Sequence, residues 1–269
     1  MDLKQKLIEF VKNDYIFPND MDANVFVDEV KEALKSTDGN LRDRLALNVI
    51  CKLIEDGKLS DDKCCQLLQE LISDKYLLCG LGEECDDSVF GRSFSTYPIS
   101  AILAYNRQVE RRILTDEDIK NVFTAAIKYV QEEKDLRGFV DDKGWADSIG
   151  HGADFLASLA EDPALSNKEL NIMLDAIKDK ICINHACHGA TVFRLSAAVS
   201  EILKRELISE KEFSDWVASF LKYENSGDYM KDMRLAYNRS EFFVGLSGRL
   251  KEQSPDFYPY ASNAFFELI

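Results

Sequence analysis

The sequence has no long apolar run, no excess of basic residues and no regular cysteine spacing. No stretch approaches the roughly 20 apolar residues that a membrane-spanning helix needs. The amino-terminal segment alternates charged and apolar residues and lacks the apolar core of a signal peptide. The whole chain contains seven cysteines, an odd number, and they lack the spacing of a disulfide scaffold. These absences predict a cytoplasmic protein with no membrane partner.

Acidic residues outnumber basic ones in the chain as a whole. The sequence contains 48 Asp and Glu against 33 Lys and Arg, which gives a formal net charge of −15. Binding to nucleic acid depends largely on Lys and Arg side chains that neutralise phosphates, and the sequence has no basic stripe. We therefore expect no nucleic-acid partner. A basic peptide, a cationic small molecule or a metal ion fits this charge better.

Four segments carry the signature of a helix amino terminus. In each, an apolar residue precedes a Ser or Thr, acidic or amide residues follow, and an apolar helix face begins; the Ser or Thr residues are Ser60, Thr115, Ser166 and Ser209. Such a hydroxyl accepts a hydrogen bond from a free amide of the first turn, and in the last three segments an acidic residue three positions later can bond back. The intervals between these starts leave room for a helix, a turn and a returning helix.

The apolar residues that follow these starts have helical spacing, and no alternating strand pattern is present. Further helices are predicted over residues 3–12, 23–34, 41–56, 89–107, 145–160, 192–205 and 229–250. Recurring helix pairs are typical of solenoids. We predict an all-α fold, an irregular HEAT- or armadillo-like stack of antiparallel helical hairpins (an α-α superhelix), with residues 1–269 as a single elongated domain.

The densest polar chemistry lies in residues 137–156. If a helix begins near Trp145, then Asp147, His151 and Asp154 are spaced i, i+4 and i+7 and share one helix face. In the structural interpretation, His151 bonds Asp147 or Asp154 in a seam between helices. In the alternative, the three side chains supply oxygen and nitrogen ligands to a small-molecule or metal pocket.

The other two histidines lie close together in sequence. His185 and His188 flank Cys187 in a His-x-x-His pattern, which has donor types suited to zinc but no second pair at zinc-finger spacing. The structural alternative is a tight loop that caps the next helix. This segment is thus a possible source of further metal ligands beside Asp147, His151 and Asp154.

Two arginines are candidate ligand-binding residues. Arg92, next to Ser93 in a hydroxyl-rich segment, and Arg137 can form buried ion pairs with Asp147 or Asp154. Alternatively, their guanidinium groups can hold a ligand carboxylate or phosphate. The serine has no histidine near it in sequence, so the pattern does not predict a nucleophile.

A family resemblance rests on three segments: GRSFS at residues 91–95, RGF at 137–139 and KGWADSIGHGAD at 143–154. These segments are similar to the pattern of a bacterial helical family that is known only as a conserved domain of unknown function. The family pattern has a histidine where this chain has Asp147, so the chain departs from a two-histidine helix face. The resemblance implies a helical fold and the location of a site, and it implies no reaction, cofactor or partner.

The sequence favours a non-enzymatic cytosolic helical-repeat protein that binds a protein, a peptide or a small-molecule ligand. We expect its groove near Arg92, Arg137, Trp145, His151 and Asp154, because curved helical stacks commonly bind partners on such surfaces. The alternative is a metal-assisted hydrolase that uses Asp147, His151 and Asp154, with His185 or His188. The sequence does not identify a cofactor or an oligomeric state.

Overall fold

The computed structural model describes residues 2–18, 21–223 and 226–268, which form an all-α fold. Helices provide nearly all of the regular structure in these residues, and the remainder is one two-stranded hairpin. The predicted all-α class is confirmed. Within the described part of the chain, no helix combines the length and apolarity needed to cross a membrane.

Among the described residues, six α-helices precede the hairpin: α1 (Leu3–Lys12), α2 (Ala23–Lys31), α3 (Asn48–Glu55), α4 (Asp61–Leu71), α5 (Ser88–Gln108) and α6 (Asp116–Glu132). A 3-10 turn (Glu32–Lys35) follows α2, and a π-helical segment (Asn40–Leu47) leads into α3. The strands of the hairpin are β1 (Phe139–Val140) and β2 (Gly144–Trp145). Six α-helices follow: α7 (Ser148–Ala160), α8 (Asn167–Ile181), α9 (Gly189–Leu203), α10 (Glu210–Leu221), α11 (Tyr229–Gln253) and α12 (Tyr258–Leu268).

All four predicted helix starts are confirmed, since α4, α6, α8 and α10 begin directly after the predicted Ser or Thr. At α10, Ser209 Oγ accepts from the Glu212 amide at 3.2 Å, and the Ser209 amide donates to the Glu212 carboxylate at 2.8 Å. Thr115 and Asp118 make the same reciprocal pair at α6, at 3.1 and 2.9 Å. Local side-chain chemistry therefore determines where these helices begin.

The chain divides into two compact units, and the boundaries fall within α6 and α7. The first unit comprises Met1–Ala125 and Glu132–His151, and the second comprises Ala126–Gln131 and Gly152–Ile269. The HEAT- or armadillo-like stacking and the single elongated domain over residues 1–269 stay predictions.

In the first unit, α3 packs against α2 and α5, and α4 packs against α5. In the second unit, α11 packs against α9 and α12, and α10 packs against α12. The apolar face predicted for α10 is buried there, where Phe220 stacks on Phe242 with ring centroids 5.7 Å apart. Each large apolar side chain that is buried in this way contributes about 1.5–3 kcal/mol.

The helix predicted from Trp145 begins three residues later, so that part of the prediction is wrong. Trp145 lies in β2, where it is opposite Phe139 of β1. Asp147 follows with a φ of 37°, and Gly144 has a φ of 83°. A residue with positive φ cannot be part of a right-handed helix, so α7 starts at Ser148.

Candidate functional site

Arg92 of α5 forms a buried ion pair with Glu133 in the first unit. Its Nε donates to Glu133 Oε2 at 2.6 Å, and its Nη2 donates to Oε1 at 3.0 Å. Its Nη1 donates to the carbonyls of Cys79 and Gly80 at 2.8 and 3.0 Å. The guanidinium is fully buried, and Glu133 is only 3 % exposed. This two-pronged, charge-assisted contact holds the chain after α6 against α5.

Arg137 makes a second forked ion pair, with Asp135. Its Nε donates to Asp135 Oδ1 at 3.0 Å, and its Nη2 donates to Oδ2 at 2.7 Å and to the Asp86 carbonyl at 2.6 Å. The hydrogen bonds that Arg137 donates to Asp135 raise the pKa of Arg137, so the guanidinium stays charged. Asp135 is buried, whereas the Arg137 side chain is partly exposed.

Neither carboxylate is among the partners expected from the sequence, which were Asp147 and Asp154. Glu133 and Asp135 occur in an acidic stretch at the end of α6. In the sequence, such a stretch is typical of a solvent-exposed helix end. Asp135 lies two residues from Arg137, so its spacing was the one local signal available. Arg92 and Glu133 are 41 positions apart, and no local pattern relates them.

Ser93 and His151 meet in a buried polar contact of the same unit. Ser93 Oγ donates to the Ala146 carbonyl and lies 2.6 Å from His151 Nδ1. Because a hydroxyl has one proton and a carbonyl oxygen only accepts, His151 Nδ1 is the donor to Ser93. In a neutral ring this places the lone pair on Nε2. The partner of Nδ1 is therefore a serine, whereas the structural interpretation expected a carboxylate.

Aromatic side chains enclose the His151 ring. The centroids of Phe94 and Tyr97 lie 5.1 and 4.8 Å from the centroid of His151, both in edge-on orientations. His151 is 5 % exposed and Ser93 is fully buried. The pair therefore acts within the packing between α5 and the start of α7.

Asp147 lies at the amino terminus of α7 and is buried. Its carbonyl accepts from the His151 amide at 2.9 Å, and its own amide donates to the Arg137 carbonyl at 3.1 Å. Its carboxylate folds back over Gly150, where an added Cβ would lie 2.4 Å from Asp147 Oδ2. Only a glycine leaves room for this carboxylate. Because Asp147 is outside the helix, helical spacing does not place it on one face with His151 and Asp154.

The remaining candidate residues lie in the second unit. Asp154 Oδ2 accepts from Arg194 Nη1 at 2.7 Å, and both side chains are partly exposed. His188 directly precedes α9, as the loop interpretation predicted, and contacts the Thr191 hydroxyl at 3.0 Å. Burial, together with the nearby His188 and Arg234, lowers the pKa of His185.

A buried asparagine holds the loop that contains His185 and Cys187. Asn238 of α11 donates through Nδ2 to the carbonyls of Ile181 and His185, at 3.1 and 2.8 Å. Its Oδ1 accepts from the Cys187 amide at 3.0 Å. The loop backbone is thus fixed by hydrogen bonds that the sequence pattern did not reveal.

The candidate metal ligands belong to different units: Asp147 and His151 to the first, and Asp154, His185 and His188 to the second. Among the described residues of either unit, no three His, Cys, Asp or Glu side chains group in a way that could hold a metal ion. A metal-assisted hydrolase that uses these residues stays a prediction.

The hairpin presents two aromatic side chains to solvent. Phe139 is 59 % exposed and Trp145 is 45 % exposed. Their ring centroids are 5.3 Å apart in an edge-to-face arrangement across the two strands. We call Phe139 and Trp145 the hairpin surface. Trp145 was a candidate ligand-binding residue from the sequence, whereas Phe139 occurred only in the family pattern.

A buried arginine, Arg42, holds the hairpin through its backbone carbonyls. Arg42 Nη2 donates to the carbonyls of Lys143 and Trp145 at 2.8 and 3.3 Å, and its guanidinium lies 4.1 Å from the centroid of Phe90. The backbone also approaches closely here, because a Cβ added to Gly39 would lie 2.9 Å from the Lys143 carbonyl oxygen. These contacts hold the hairpin surface in one orientation within the first unit.

Comparison with known proteins identifies a family. Residues 77–247 match the model of a family described as a protein of unknown function, DUF2785. The matched residues include both forked ion pairs, Arg92 with Glu133 and Arg137 with Asp135, as well as the hairpin surface. Searches of the curated proteins and of the solved structures find no match. Since the family match covers most of the chain, this protein belongs to the DUF2785 family.

Proposed function

We propose that the protein is a non-enzymatic cytoplasmic binding protein and that a segment of a partner protein docks on the hairpin surface. The observation that carries this proposal is the exposed edge-to-face pair of Phe139 and Trp145. Aromatic side chains are enriched at protein interfaces, and tryptophan is prominent among the residues that dominate binding energy.

The anchoring of the hairpin supports this role. Arg42 holds the backbone at Lys143 and Trp145, and Lys143 Nζ donates to Asp87 at 2.6 Å. A surface that is already ordered loses little conformational entropy when a partner binds. The cross-strand contact of Phe139 with Trp145 adds to this order, since it fixes one ring against the other.

In this proposal, the buried candidate ligand-binding residues have a supporting role. Arg92, Ser93, Asp147 and His151 are buried and make hydrogen bonds within the first unit. Their partners lie in the chain before α5, in α5 itself and in the chain that leads into and out of the hairpin. In this account they position the hairpin, while Trp145 and Phe139 contact the partner.

Site-specific photocrosslinking in the native host tests the proposal. Phe139 is replaced with p-benzoylphenylalanine, and the control carries the same replacement at Phe266, an exposed aromatic residue of the second unit. We expect a discrete adduct from position 139 that is absent from position 266 and is lost when Trp145→Ser is added. Identical adducts from both positions, or none from position 139, would contradict the proposal.

A further inference from the structure

We infer that the partner segment is basic, with a lysine or arginine side chain placed on the rings of Trp145 and Phe139. This inference rests on the proposed function and adds the chemistry of the ligand. Its grounds are the charge around the hairpin surface, the chemistry of the two rings and the geometry of the turn that joins their strands.

The charge at the turn of the hairpin is negative. Asp141 and Asp142 form the tip between β1 and β2, and both are exposed. Asp86, also exposed, lies beside the hairpin, since its carbonyl accepts from Arg137 at 2.6 Å. We call Asp86, Asp141 and Asp142 the acidic rim.

Two basic residues of the hairpin segment are already paired with carboxylates, and the buried Arg42 that holds the hairpin forms an ion pair with Asp43. Arg137 is bound by Asp135 at 2.7 Å, and Lys143 is bound by Asp87 at 2.6 Å. Their charges are thereby offset, and the acidic rim sets the local field. The chain as a whole carries a net charge of −15, so long-range attraction also favours a cationic partner.

The rings supply the second part of the recognition. The face of an indole attracts a cation within about 6 Å more strongly than other aromatic side chains do. The first unit already contains this contact internally, because the Arg42 guanidinium lies 4.1 and 4.5 Å from the centroids of Phe90 and Phe94. An aromatic pair near carboxylates fits a lysine or arginine side chain in two ways. The rings of the hairpin surface contact the cation and its aliphatic stem, and the acidic rim attracts neighbouring positive charges of the partner segment.

The backbone of the turn fixes the position of Asp141 and Asp142, the two residues of the acidic rim that form the tip. Asp142 has a φ of 64° and Gly144 a φ of 83°, both in the left-handed region. Asparagine adopts this region about as readily as aspartate does. The double change Asp141→Asn and Asp142→Asn therefore removes the charge of the tip while it retains the shape of the turn.

Fluorescence anisotropy with defined peptides tests the inference. The probe is a fluorescein-labelled peptide of alternating lysine and glycine, and the comparison peptides carry glutamate or serine in place of lysine. The full chain is used as wild type, as Asp141→Asn/Asp142→Asn, and as a matched control, Glu241→Gln/Asp256→Asn, which removes two exposed charges from the second unit.

We expect the lysine peptide to bind most tightly and its affinity to fall as NaCl is raised. Neutralising the tip should weaken its binding by about tenfold, and the matched control should leave it within about twofold of the wild type. Trp145→Ser should abolish the signal. Equal binding of the glutamate or serine peptide, equal losses in the tip and control variants, or tighter binding of a single-stranded oligonucleotide would overturn the inference.

The two proposals fail separately. A discrete photocrosslinked adduct at position 139 without preference for the lysine peptide would leave the hairpin surface as a docking site and refute the basic partner. Absence of the adduct together with equal peptide binding would refute both. If the Trp145→Ser variant keeps the preference for the lysine peptide, the peptide binds at another acidic surface, and the inference is refuted.

Discussion

Ser93 Oγ and His151 Nδ1 lie 2.6 Å apart although the residues are 58 positions apart in sequence. The serine hydroxyl donates its hydrogen bond to the Ala146 carbonyl, so the histidine is the donor in the contact with Ser93. Through this arrangement, α5 holds the end of β2 and the first turn of α7 together. The polar groups that the sequence presents as a site thus position the hairpin surface.

The first prediction concerns this contact. His151→Ala should lower the free energy of unfolding by about 1–3 kcal/mol, since it leaves a buried serine without its donor. Denaturant unfolding measures the loss in His151→Ala, in Ser93→Ala and in the double variant. We expect the double variant to be more stable than the sum of the single losses implies, because the two residues share one interaction. Additive losses would show that the contact contributes nothing of its own.

The buried fork between Arg92 and Glu133 gives the second prediction. Arg92→Met should destabilise the protein by about 3–5 kcal/mol, because it removes the guanidinium that is forked onto the buried Glu133 carboxylate. The matched control is Lys211→Met, which breaks an exposed pair with Asp215 on α10. Thermal unfolding of that variant should match the wild type. Equal melting temperatures for Arg92→Met and Lys211→Met would show that the buried ion pair stabilises the fold no more than the exposed one.

Gly150 gives the third prediction through its contact with Asp147. Gly150→Ala should cost about 1–3 kcal/mol, because the new methyl group enters the space of the carboxylate. The control Gly248→Ala, in a helix position with open space around it, should stabilise by about 0.5–1 kcal/mol.

A second change tests the cause of that loss. Asp147→Gly removes the carboxylate and tolerates the φ of 37° at this position. In that background, Gly150→Ala should lose most of its penalty when measured by denaturant unfolding. If Gly150→Ala destabilises the Asp147→Gly variant as much as the wild type, the loss does not come from a clash with the Asp147 carboxylate.

The capping box of α10 gives a pH-dependent prediction. Hydrogen bonds from Ser209 and its amide, and then from Asn167, lower the pKa of Glu212 from 4.5 to about 2. A depressed carboxyl pKa stabilises the folded state above the unfolded value, and this stabilisation is lost as the pH falls through the folded value. The wild type should therefore be more stable than Glu212→Gln at neutral pH, and the difference should shrink between about pH 4.5 and pH 2.

Ser209→Ala removes the other half of the box and should cost about 1 kcal/mol at neutral pH. Urea unfolding at several pH values measures both variants. A pH-independent difference between the wild type and Glu212→Gln would mean that the charge of Glu212 does not contribute to the cap.

Features set by local interactions could be predicted from the sequence. Ser60, Thr115, Ser166 and Ser209 precede helices because a cap and its partner lie within four residues of each other. The predicted range 3–12 matches α1, and 229–250 is contained in α11. The predicted helix over 41–56 is divided into a π-helical segment and α3, a distinction that apolar spacing does not resolve.

Features set by distant contacts could not be predicted. The partner of Arg92 is 41 positions away, and that of Ser93 is 58 positions away. The strands of the hairpin have two residues each, which is too short for an alternating pattern to appear. The region of the site was identified because its polar residues and glycines are dense, but the sequence could not separate exposed Trp145 from buried His151.

The most direct measurement follows the two tryptophans when a basic peptide is added. Trp145 is 45 % exposed on the hairpin surface, and Trp216 is 6 % exposed in the core of the second unit. Their indole N–H groups give separate signals in a proton–nitrogen correlation spectrum, and Trp216→Phe assigns them. We predict that the lysine–glycine peptide shifts the Trp145 signal and leaves the Trp216 signal in place. A titration in which the Trp145 signal does not move, or moves equally with the glutamate peptide, would contradict this account.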